Sequence, residues 1–407
     1  MAEYEYYTLS NGIKVIHKHI AGKVAHLGFI INTGSRDENE NEHGMAHFIE
    51  HVIFKGTNKR KSYHIISRLE DVGGEIDAYT TKEETTIYAS FLNEYYQRTI
   101  ELFADIIFNS TFPDKELEKE KTVIIDEINS YKDSPADLIF DDFEELIFKG
   151  HPIGKNILGD SNSLKKYNKD DIKTFIKNNY HTNEMVICSV GDIKFTHLLK
   201  FIKKHFEAFE KNIRIHPRKT LNKYQPLNVN IKKDTYQSHC IIGNRAYSIL
   251  EKKRLPLELL NNILGGPGMN TRLNMALREK HGLTYNIESF YTPYTDTGII
   301  GIYFSTEQEK IDKSLKIIDK EITKLKNKPL GILQLDRAKK QMIGQMAISA
   351  ENKSSLMLNI GRSYLLFNKV DSLEATYKKI NSITSSQLID VANEVFNINY
   401  FSKLIYK

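Results

Sequence analysis

The chain has 407 residues, of which 40% are hydrophobic and 27% are charged, and a formal net charge of +5. This composition is ordinary for a globular protein, and the length predicts two domains rather than one. Because the net charge is small and the basic residues are scattered among acidic ones, the sequence provides no basis for nucleic-acid binding.

The first half begins with a predicted hairpin. Two strands, at 6–9 and 13–17, flank the turn signal Ser10-Asn11-Gly12. Further strands are predicted at 25–33, 75–81 and 85–92, and helices at 44–55, 63–71, 94–108 and 115–132. Strands that occur in groups, followed by long helices, indicate an α+β fold rather than a doubly wound sheet.

A segment with little apolar periodicity separates the two halves. Residues 211–228 contain Pro217, Pro226 and several basic residues, and we interpret them as a linker between domains at 1–210 and 229–407. The second half repeats the order of elements, with a strand near Cys240, helices at 255–264 and 271–280, strands at 283–291 and 298–305, and long helices after them. The prediction is therefore two similar α+β domains, each a mostly antiparallel sheet packed with helices.

The segment His47-Phe48-Ile49-Glu50-His51 carries the strongest chemical signal. On a helix, His47 and His51 lie on one face, one turn apart, where two neutral imidazoles can bind one zinc ion. Glu50 projects beside them, where a carboxylate can take a proton from zinc-bound water. The alternative is a solvated helix with two incidental histidines. Apolar residues on nearly every side of this helix predict burial instead, and buried ionisable groups need partners.

A catalytic zinc ion typically has three protein ligands and one open position. The predicted helix at 115–132 carries Glu120 and Glu127 two turns apart, along the apolar stripe that contains Ile124 and Tyr131. Two carboxylates in an apolar stripe are costly unless they are paired or bind a cation. The alternative is that this stripe is the edge of the helix and that both glutamates reach water. A histidine helix that needs a further ligand favours the first interpretation.

These residues resemble the pitrilysin-type zinc peptidases, the inverzincins, which include insulin-degrading enzyme and mitochondrial processing peptidase. The run GMAHFIEHVIFKGT at 44–57 is similar to the family motif over its full length, with HxxEH in place of HExxH. The family places a glutamate ligand at the spacing that separates His51 from Glu127 here, 76 residues. The resemblance implies that His47, His51 and Glu127 bind Zn²⁺ and that Glu120 is an accessory glutamate.

The resemblance covers nearly the whole chain and extends to a substrate strand. Gly73-Gly74, followed by Asp77-Ala78-Tyr79, is similar to the family's active-site strand, which implies that the latter three residues bind substrate. The family usually has Asn where this chain has Asp77. An ionised Asp accepts a hydrogen bond but does not donate one, so the substitution leaves the role of this residue open.

In the second half, the run LREKHGLTY at 277–285 resembles the family's Arg–Tyr substrate element. Arg278 is expected near a helix end and Tyr285 at the start of the next strand. The resemblance implies that both bind the peptide carbonyl near the zinc and stabilise the oxyanion of the tetrahedral intermediate. A helix C-terminal cation, favoured by the helix dipole, is the alternative account of Arg278.

The predicted activity is that of a zinc metalloendopeptidase, with Glu50 as the general base and with extended or unfolded peptides added to the strand at 75–81. In the family, two such domains form half of a closed chamber, so a chain of this length implies a dimer. The zinc-site residues and the Arg–Tyr element are both present on one chain, which favours a homodimer. A non-catalytic structural subunit and a peptide-binding module without turnover are the alternatives, and the intact zinc-site residues disfavour the first.

The remaining signals concern compartment and partners. Cys188 and Cys240 lie far apart and outside any CxxC or CxxH spacing, which argues against a disulfide scaffold and a cysteine-ligated zinc site. The N-terminal run MAEYEYYTLSNG resembles neither a signal peptide nor an Arg-rich transit peptide. No stretch approaches the roughly 18 apolar residues of a membrane span. We therefore expect a cytoplasmic protein with no membrane partner.

Overall fold

The computed structural model describes residues 3–407, which form two compact units. The first unit comprises residues up to Asn129 together with Lys155–Thr220 and Ile348–Ser372, and the second comprises Ser130–Gly154, Leu221–Ala347 and Leu373–Lys407. Each unit contains a mostly antiparallel sheet with helices, which confirms the predicted α+β class. We expected two domains, each continuous in sequence, at 1–210 and 229–407. The units differ from this division at 130–154 and 348–372, because one helix of each half packs on the sheet of the other half.

The sheet of the first unit contains six strands within residues 3–407: β1 (Glu5–Thr8), β2 (Lys14–His19), β3 (Val24–Ile31), β4 (Glu75–Thr80), β5 (Thr85–Leu92) and β6 (Met185–Gly191). Their order is β1-β2-β6-β3-β5-β4. The β2–β6 pair is parallel and the other neighbours are antiparallel. Strand β4 therefore lies at an edge, where its outer backbone donors and acceptors have no strand partner in the described chain.

The helices of the first half are α1 (Met45–Val52), α2 (Ser62–Glu70), α3 (Tyr96–Phe108), α4 (Asp114–Lys132), α5 (Pro135–Ile147), α6 (Ser161–Lys166), α7 (Lys169–Asn179) and α8 (Phe195–Phe206). Helix α5 and the last three residues of α4, 130–132, belong to the second unit, and the rest of these helices belong to the first. Residues of α1, α3, α4, α7 and α8 share one hydrophobic core with Leu27 and Phe29 of β3. Helix α1, which carries His47, Glu50 and His51, is thus packed on one face of the first sheet.

The second half contains strands β7 (Asn228–Ile231), β8 (Ser238–Ala246), β9 (Ile287–Pro293), β10 (Gly298–Thr306) and β11 (Ser402–Tyr406), and helices α9 (Arg254–Gly265), α10 (Ile311–Asn327), α11 (Ile332–Ala350), α12 (Lys353–Phe367), α13 (Leu373–Asn381) and α14 (Ser385–Val395). The strand order is β7-β11-β8-β10-β9, which repeats β2-β6-β3-β5-β4. The single parallel pair, β7–β11, occupies the same place as β2–β6. The two halves therefore share one topology.

Helices α5 and α12 are exchanged between the halves. Helix α5 packs on β8 and β11 of the second unit through Ile139, Phe143 and Ile147. Helix α12 packs on β3 and β6 of the first unit, where Met357 and Ile360 are buried. Apolar residues at intervals of three or four put one face of each helix against a sheet, so periodicity predicts the helix but not which sheet it covers.

The segment that we interpret as a linker is held against the first unit. Within residues 211–220, Arg218 donates to Asp37 at 2.8 Å and to the carbonyl oxygen of Glu83 at 2.8 Å. Arg214 donates to the carbonyl oxygen of Asn32 at 2.9 Å. These charged side chains are mostly buried, so the contacts anchor the segment despite its lack of helix or strand.

One predicted strand begins later than expected. Residues 283–286 precede β9 instead of belonging to it, because Gly282 adopts φ +55° and the Thr284 hydroxyl hydrogen-bonds to the carbonyl oxygens of Asn286 and Ser305. The preceding helix is π-helical over Asn274–Glu279. Among the helices of residues 3–407, none is long and apolar enough to cross a membrane.

Candidate metal centre

The N-terminus of α1 is defined by a glycine and a buried acid. Gly44 has φ +89°, and a Cβ there would lie 2.8 Å from the Cα of Gly159. The Glu38 carboxylate accepts hydrogen bonds from the backbone N–H groups of Gly44 at 2.9 Å and Ala46 at 3.0 Å. These acceptors satisfy free donors at the start of the helix. Burial raises the pKa of Glu38 to about 8. Sequence analysis missed Glu38, because its role depends on how the loop before α1 folds back.

Helix α1 presents its two histidines from an otherwise apolar helix. Met45, Phe48 and Ile49 are buried in the core of the first unit. His47 is also buried, His51 is half-buried, and their ring centroids lie 4.7 Å apart. The prediction that the two imidazoles lie on one face of a helix agrees with this geometry.

Glu127 of α4 approaches both imidazoles. Its Oε2 atom lies 3.9 Å from His47 Nε2 and 3.5 Å from His51 Nε2. One donor atom from each of the three residues can be chosen so that all lie within 4.8 Å of one another. A tetrahedral zinc ion with bonds of about 2.0–2.1 Å holds its ligands about 3.3 Å apart. The three side chains thus fit a zinc ion after small adjustments.

The protonation state of His47 also fits a metal. Burial, followed by the neighbouring His51, lowers the pKa of His47 to about 3, so the imidazole is neutral at physiological pH. Nδ1 of His47 is buried and has no hydrogen-bond partner in residues 3–407. A neutral imidazole is the form that binds zinc, and here Nε2 of His47 is the ring nitrogen that faces Glu127.

Glu120 and Glu127 have different surroundings, which corrects the expectation that both lie in the apolar stripe of α4. Glu120 is buried, whereas the Glu127 side chain is 44% exposed. Glu120 forms an ion pair with Lys55 at 2.8 Å, and its Oε2 lies 3.4 Å from Nδ1 of His51. It can therefore orient the His51 ring, as acids next to metal-bound histidines commonly do. Lys55, which sequence analysis missed, lies four residues after His51.

Glu50 shares α1 with the histidines. Burial raises the pKa of its carboxyl group, and its Oε2 atom is buried with no hydrogen-bond partner in the part of the chain that the structure describes. A carboxylate in this environment is a stronger base than an exposed one. A raised pKa makes this carboxylate better suited to accept a proton.

The predicted substrate residues lie on β4, the edge strand. Helix α1 packs against β4, and Ala78 contacts the same hydrophobic core as α1. The Asp77 side chain instead accepts a hydrogen bond from the Tyr88 hydroxyl at 3.0 Å, and the Tyr79 hydroxyl donates to Glu84 at 3.2 Å. Because side chains alternate along a strand, Asp77 and Tyr79 lie on the opposite face from Ala78.

Arg278 and Tyr285 lie together in the second unit. The Arg278 guanidinium stands 4.9 Å from the centre of the Tyr285 ring, a cation–π arrangement. Arg278 is at the end of the π-helical segment, and Tyr285 lies in the loop before β9, 78% exposed. The structure thus brings the metal-site residues together in one unit and the Arg–Tyr pair together in the other.

Two family profiles match the chain. The profile described as Insulinase (Peptidase family M16) matches residues 14–161, which contain the metal-site residues. The profile described as Peptidase M16 inactive domain matches residues 166–342. This second range contains no HxxEH motif, in agreement with its description.

Several proteins are similar over nearly the full length. The chain is 30% identical to the uncharacterized zinc protease YmxG of Bacillus subtilis, covering 98% of this chain and 97% of the relative. It is 32% identical to an uncharacterized zinc protease of Rickettsia felis, covering 96% and 94%. It is 30% identical to the beta subunit of the mitochondrial-processing peptidase of Caenorhabditis elegans, covering 96% and 86%.

Solved structures show the same fold. A protease from Helicobacter pylori matches with a TM-score of 0.92 at 23% identity, covering 99% of both chains. A protein described as a peptidase M16 inactive domain, from Pseudomonas fluorescens, also matches with a TM-score of 0.92, at 21% identity, covering 99% of this chain and 97% of that one. The fold and the relatives define the class of this protein as a peptidase. The chain belongs to peptidase family M16, as a short single-chain member of the pitrilysin type.

Proposed function

We propose that this member of the family is a zinc metalloendopeptidase that cleaves extended or unfolded peptides. The observation that carries the proposal is the grouping of His47, His51 and Glu127, with donor atoms within 4.8 Å of one another, on the helix pair that also holds Glu50. Two imidazoles, a carboxylate and an adjacent basic carboxylate are the components of a hydrolytic zinc site.

His47, His51 and Glu127 would hold the zinc ion. When bound there, zinc would supply Lewis acidity toward a carbonyl oxygen and a water molecule. Glu50 accepts the proton of the attacking water on its carboxylate and delivers it to the leaving amine nitrogen. The raised pKa of Glu50 supports both transfers, since the carboxyl group must be protonated and deprotonated within each turnover. Glu120, balanced by Lys55, keeps the His51 ring in place.

Strand β4 provides the binding edge for substrate. A peptide that pairs with the free edge must be extended, because only an extended backbone matches the spacing of strand donors and acceptors. This geometry excludes a stably folded segment from the edge and favours unfolded peptides. Backbone pairing also gives affinity without a strict sequence requirement.

The proposal includes a homodimer in which Arg278 and Tyr285 of one copy act on substrate held by the other copy. Tyr285 is 78% exposed and is held by its contact with Arg278, so its hydroxyl is available to a peptide carbonyl. A phenol and a guanidinium can stabilise the oxyanion of the tetrahedral intermediate. Two copies would then enclose the substrate in one chamber.

The catalytic proposal is tested with wild type and Glu50→Gln. Zinc content is measured after mild purification, and hydrolysis of a quenched-fluorescence peptide is followed. We expect one zinc per chain in both proteins and a fall in kcat of at least about 10³-fold in the variant, the scale of losing a general base together with its charge. Equal turnover in the two proteins would remove Glu50 as the base, and wild type without zinc would remove the site.

The dimer is tested by mixing Glu50→Gln with Tyr285→Phe, each of which is expected to be nearly inactive. If the Arg–Tyr pair acts on the partner copy, each mixed dimer regains one working site, and an equal mixture regains about a quarter of wild-type activity. Failure to regain activity, although light scattering shows dimers that exchange subunits, would contradict this arrangement. A monomer at micromolar concentration would contradict the dimer itself.

A further inference from the structure

The hairpin formed by β4 and β5 is tied to a helix from the far end of the sequence. Arg362 of α12 donates through Nε to Glu84 at 2.5 Å and through Nη2 to the Tyr79 hydroxyl at 3.0 Å. Glu84 lies in the turn between the two strands, and Tyr79 lies on β4 itself. The guanidinium also stands 5.5 Å from the centre of the Tyr79 ring. One side chain therefore contacts both the substrate strand and its turn.

Helix α12 is fixed closely enough to act as an anchor. A Cβ on Gly361 would lie 2.6 Å from Sγ of Cys188, so the backbone of the helix packs directly on the Cys188 side chain of β6. Met357 contacts the same cysteine, and Ile360 is buried against the sheet. Packed interiors resist shifts of even one methylene group, so the backbone of α12 is held in position here. Arg362, the next residue after Gly361, therefore extends from a fixed backbone position.

Strand β4 needs such an anchor because it is an edge strand. Its backbone pairs with β5 on one side, and the other side is the free edge to which a peptide would add. Helix α1 packs on one face of β4. On the opposite face, the chain of contacts runs from Arg362 to Tyr79 and Glu84, and through the neighbouring Tyr88 ring to Asp77.

We propose that Arg362 is a positioning residue for substrate, which fixes β4 through Tyr79 and Glu84 so that a peptide can pair with its free edge. The inference rests on the proposed function of β4 as the substrate strand and assigns part of that function to the second half of the sequence. A charged hydrogen bond and an aromatic contact from one rigid helix restrict both translation and twist of the edge. Without them, the peptide must order the strand when it binds, which weakens binding.

The kinetic test compares Arg362→Gln with wild type. We expect KM for an extended peptide to rise about tenfold, the factor that corresponds to 1.4 kcal/mol, while kcat and zinc content change less than about twofold. Arg254→Gln is the matched control, because Arg254 also forms an ion pair at similar exposure, with Glu258 within α9. The control should leave KM unchanged. An Arg362→Gln protein with altered thermal stability but an unchanged KM would overturn the proposal.

Two further variants separate positioning from general stability. Tyr79→Phe removes only the hydroxyl that Arg362 contacts and should raise KM by a smaller factor than Arg362→Gln. Arg362→Lys keeps the charge and a single donor nitrogen, and should restore part of the affinity. Hydrogen exchange should be faster in residues 75–84 of Arg362→Gln and unchanged in α1. Loss of zinc from this variant, or no restoration by Lys, would overturn the proposal.

Peptide binding provides a readout that does not depend on turnover. The dissociation constant of a fluorescent extended peptide is measured with Glu50→Gln and with the double variant Glu50→Gln/Arg362→Gln, and we expect about tenfold weaker binding in the latter. If wild type hydrolyses no peptide but this difference appears, the peptidase proposal fails and the positioning role stands. If wild type hydrolyses peptides and the two constants are equal, the positioning role fails.

Discussion

Five strands in each half of the chain follow the same order, but one corresponding pair of helices carries different polar side chains. In the first half, α1 and α4 place His51 Nε2 3.5 Å from Glu127 Oε2. In the second half, α9 and α11 place the Asn262 side-chain amide 2.9 Å from the Gln345 side-chain oxygen. Helices α4 and α11 both contain 19 residues, and Glu127 and Gln345 are each the fourteenth.

This difference shows that a change of side chains on two facing helices changes the chemistry of the site without a change of topology. These two amides share a neutral hydrogen bond, and neither carries a charge that a cation would balance. An imidazole and a carboxylate at the same place retain lone pairs that a divalent metal can use. The topology therefore supplies a frame for two facing helices, and the residue types on those helices determine whether the frame holds a metal.

The largest expected effect comes from replacing His51 in the first half, and Asn262 is the corresponding position in the second half. His51→Ala should lower zinc affinity by more than about 100-fold, because loss of a direct ligand exceeds the 10–100-fold that supporting residues contribute. Asn262→Ala, the matched change in the second half, should leave zinc affinity within a factor of about two. Competition with a chromophoric chelator measures both. Equal loss in the two variants would show that zinc depends on the general integrity of the fold.

A second difference concerns acid stability. His17 of β2 is fully buried, and burial lowers its pKa from 6.5 to about 4, whereas the corresponding strand β7 has no histidine. Between these pH values the unfolded chain binds a proton that the folded protein does not. The stabilisation, about 3 kcal/mol, is thus complete above pH 6.5 and is lost as the pH falls to about 4.

The measurement is the free energy of unfolding by urea at several pH values between 7 and 4. His17→Gln, which keeps a donor and an acceptor for Ser189 and the Ile193 carbonyl, should show a smaller loss across this range than wild type. The difference between the two curves isolates His17 from other histidines. Parallel curves would contradict the assignment.

A smaller effect is expected from a change at Glu120, which lies on the same helix as Glu127. Glu120→Gln removes the charge that faces His51 and Lys55, and we expect zinc affinity or kcat/KM to fall by about 10–100-fold. Glu118→Gln is the control, since the Glu118 side chain is 72% exposed and pairs with Lys121. An equal response of both variants would mean that the net charge of α4, rather than its contact with His51, sets the affinity.

The smallest expected effects come from two glycines. Counted from its first residue, α12 has Gly361 where α5 has the buried Phe143, so α12 lies closer to its sheet. Gly361→Ala should destabilise the protein by about 1–3 kcal/mol, because a Cβ would meet Cys188 Sγ at 2.6 Å. Gly344→Ala on α11 should stabilise it by about 0.5–1 kcal/mol, because no atom lies within 4 Å of an added Cβ.

Calorimetric or urea unfolding of both glycine variants measures the contrast. Stabilisation by Gly361→Ala would show that α12 can move away from β6 at little cost. Such a result would also weaken the argument that α12 anchors β4. Destabilisation by Gly344→Ala would indicate that neighbouring atoms approach Gly344 more closely than the 4 Å clearance around an added Cβ.

Much of the fold was predictable because its signals are local. The strand at 85–92 has the predicted bounds, and α3 and α4 begin within two residues of their predicted starts. Alternation and helical periodicity depend on neighbouring residues alone. The sheet assignment of α5 and α12 was not predictable in the same way, since an apolar stripe shows only that a helix is covered. The late start of β9 depends on Gly282 and on a hydrogen bond to Ser305 from another strand.

By itself, the sequence determined the α+β class, the order of elements and the residues whose chemistry suits zinc. These properties follow from residue types and from spacing along one element, such as one helical turn between His47 and His51. Only the tertiary structure decided that Glu120 is buried against Lys55 while Glu127 is exposed, and that Glu38 caps α1 and Arg362 reaches β4. Each of these contacts joins residues from separate elements or distant segments, and only packing determines which of them meet.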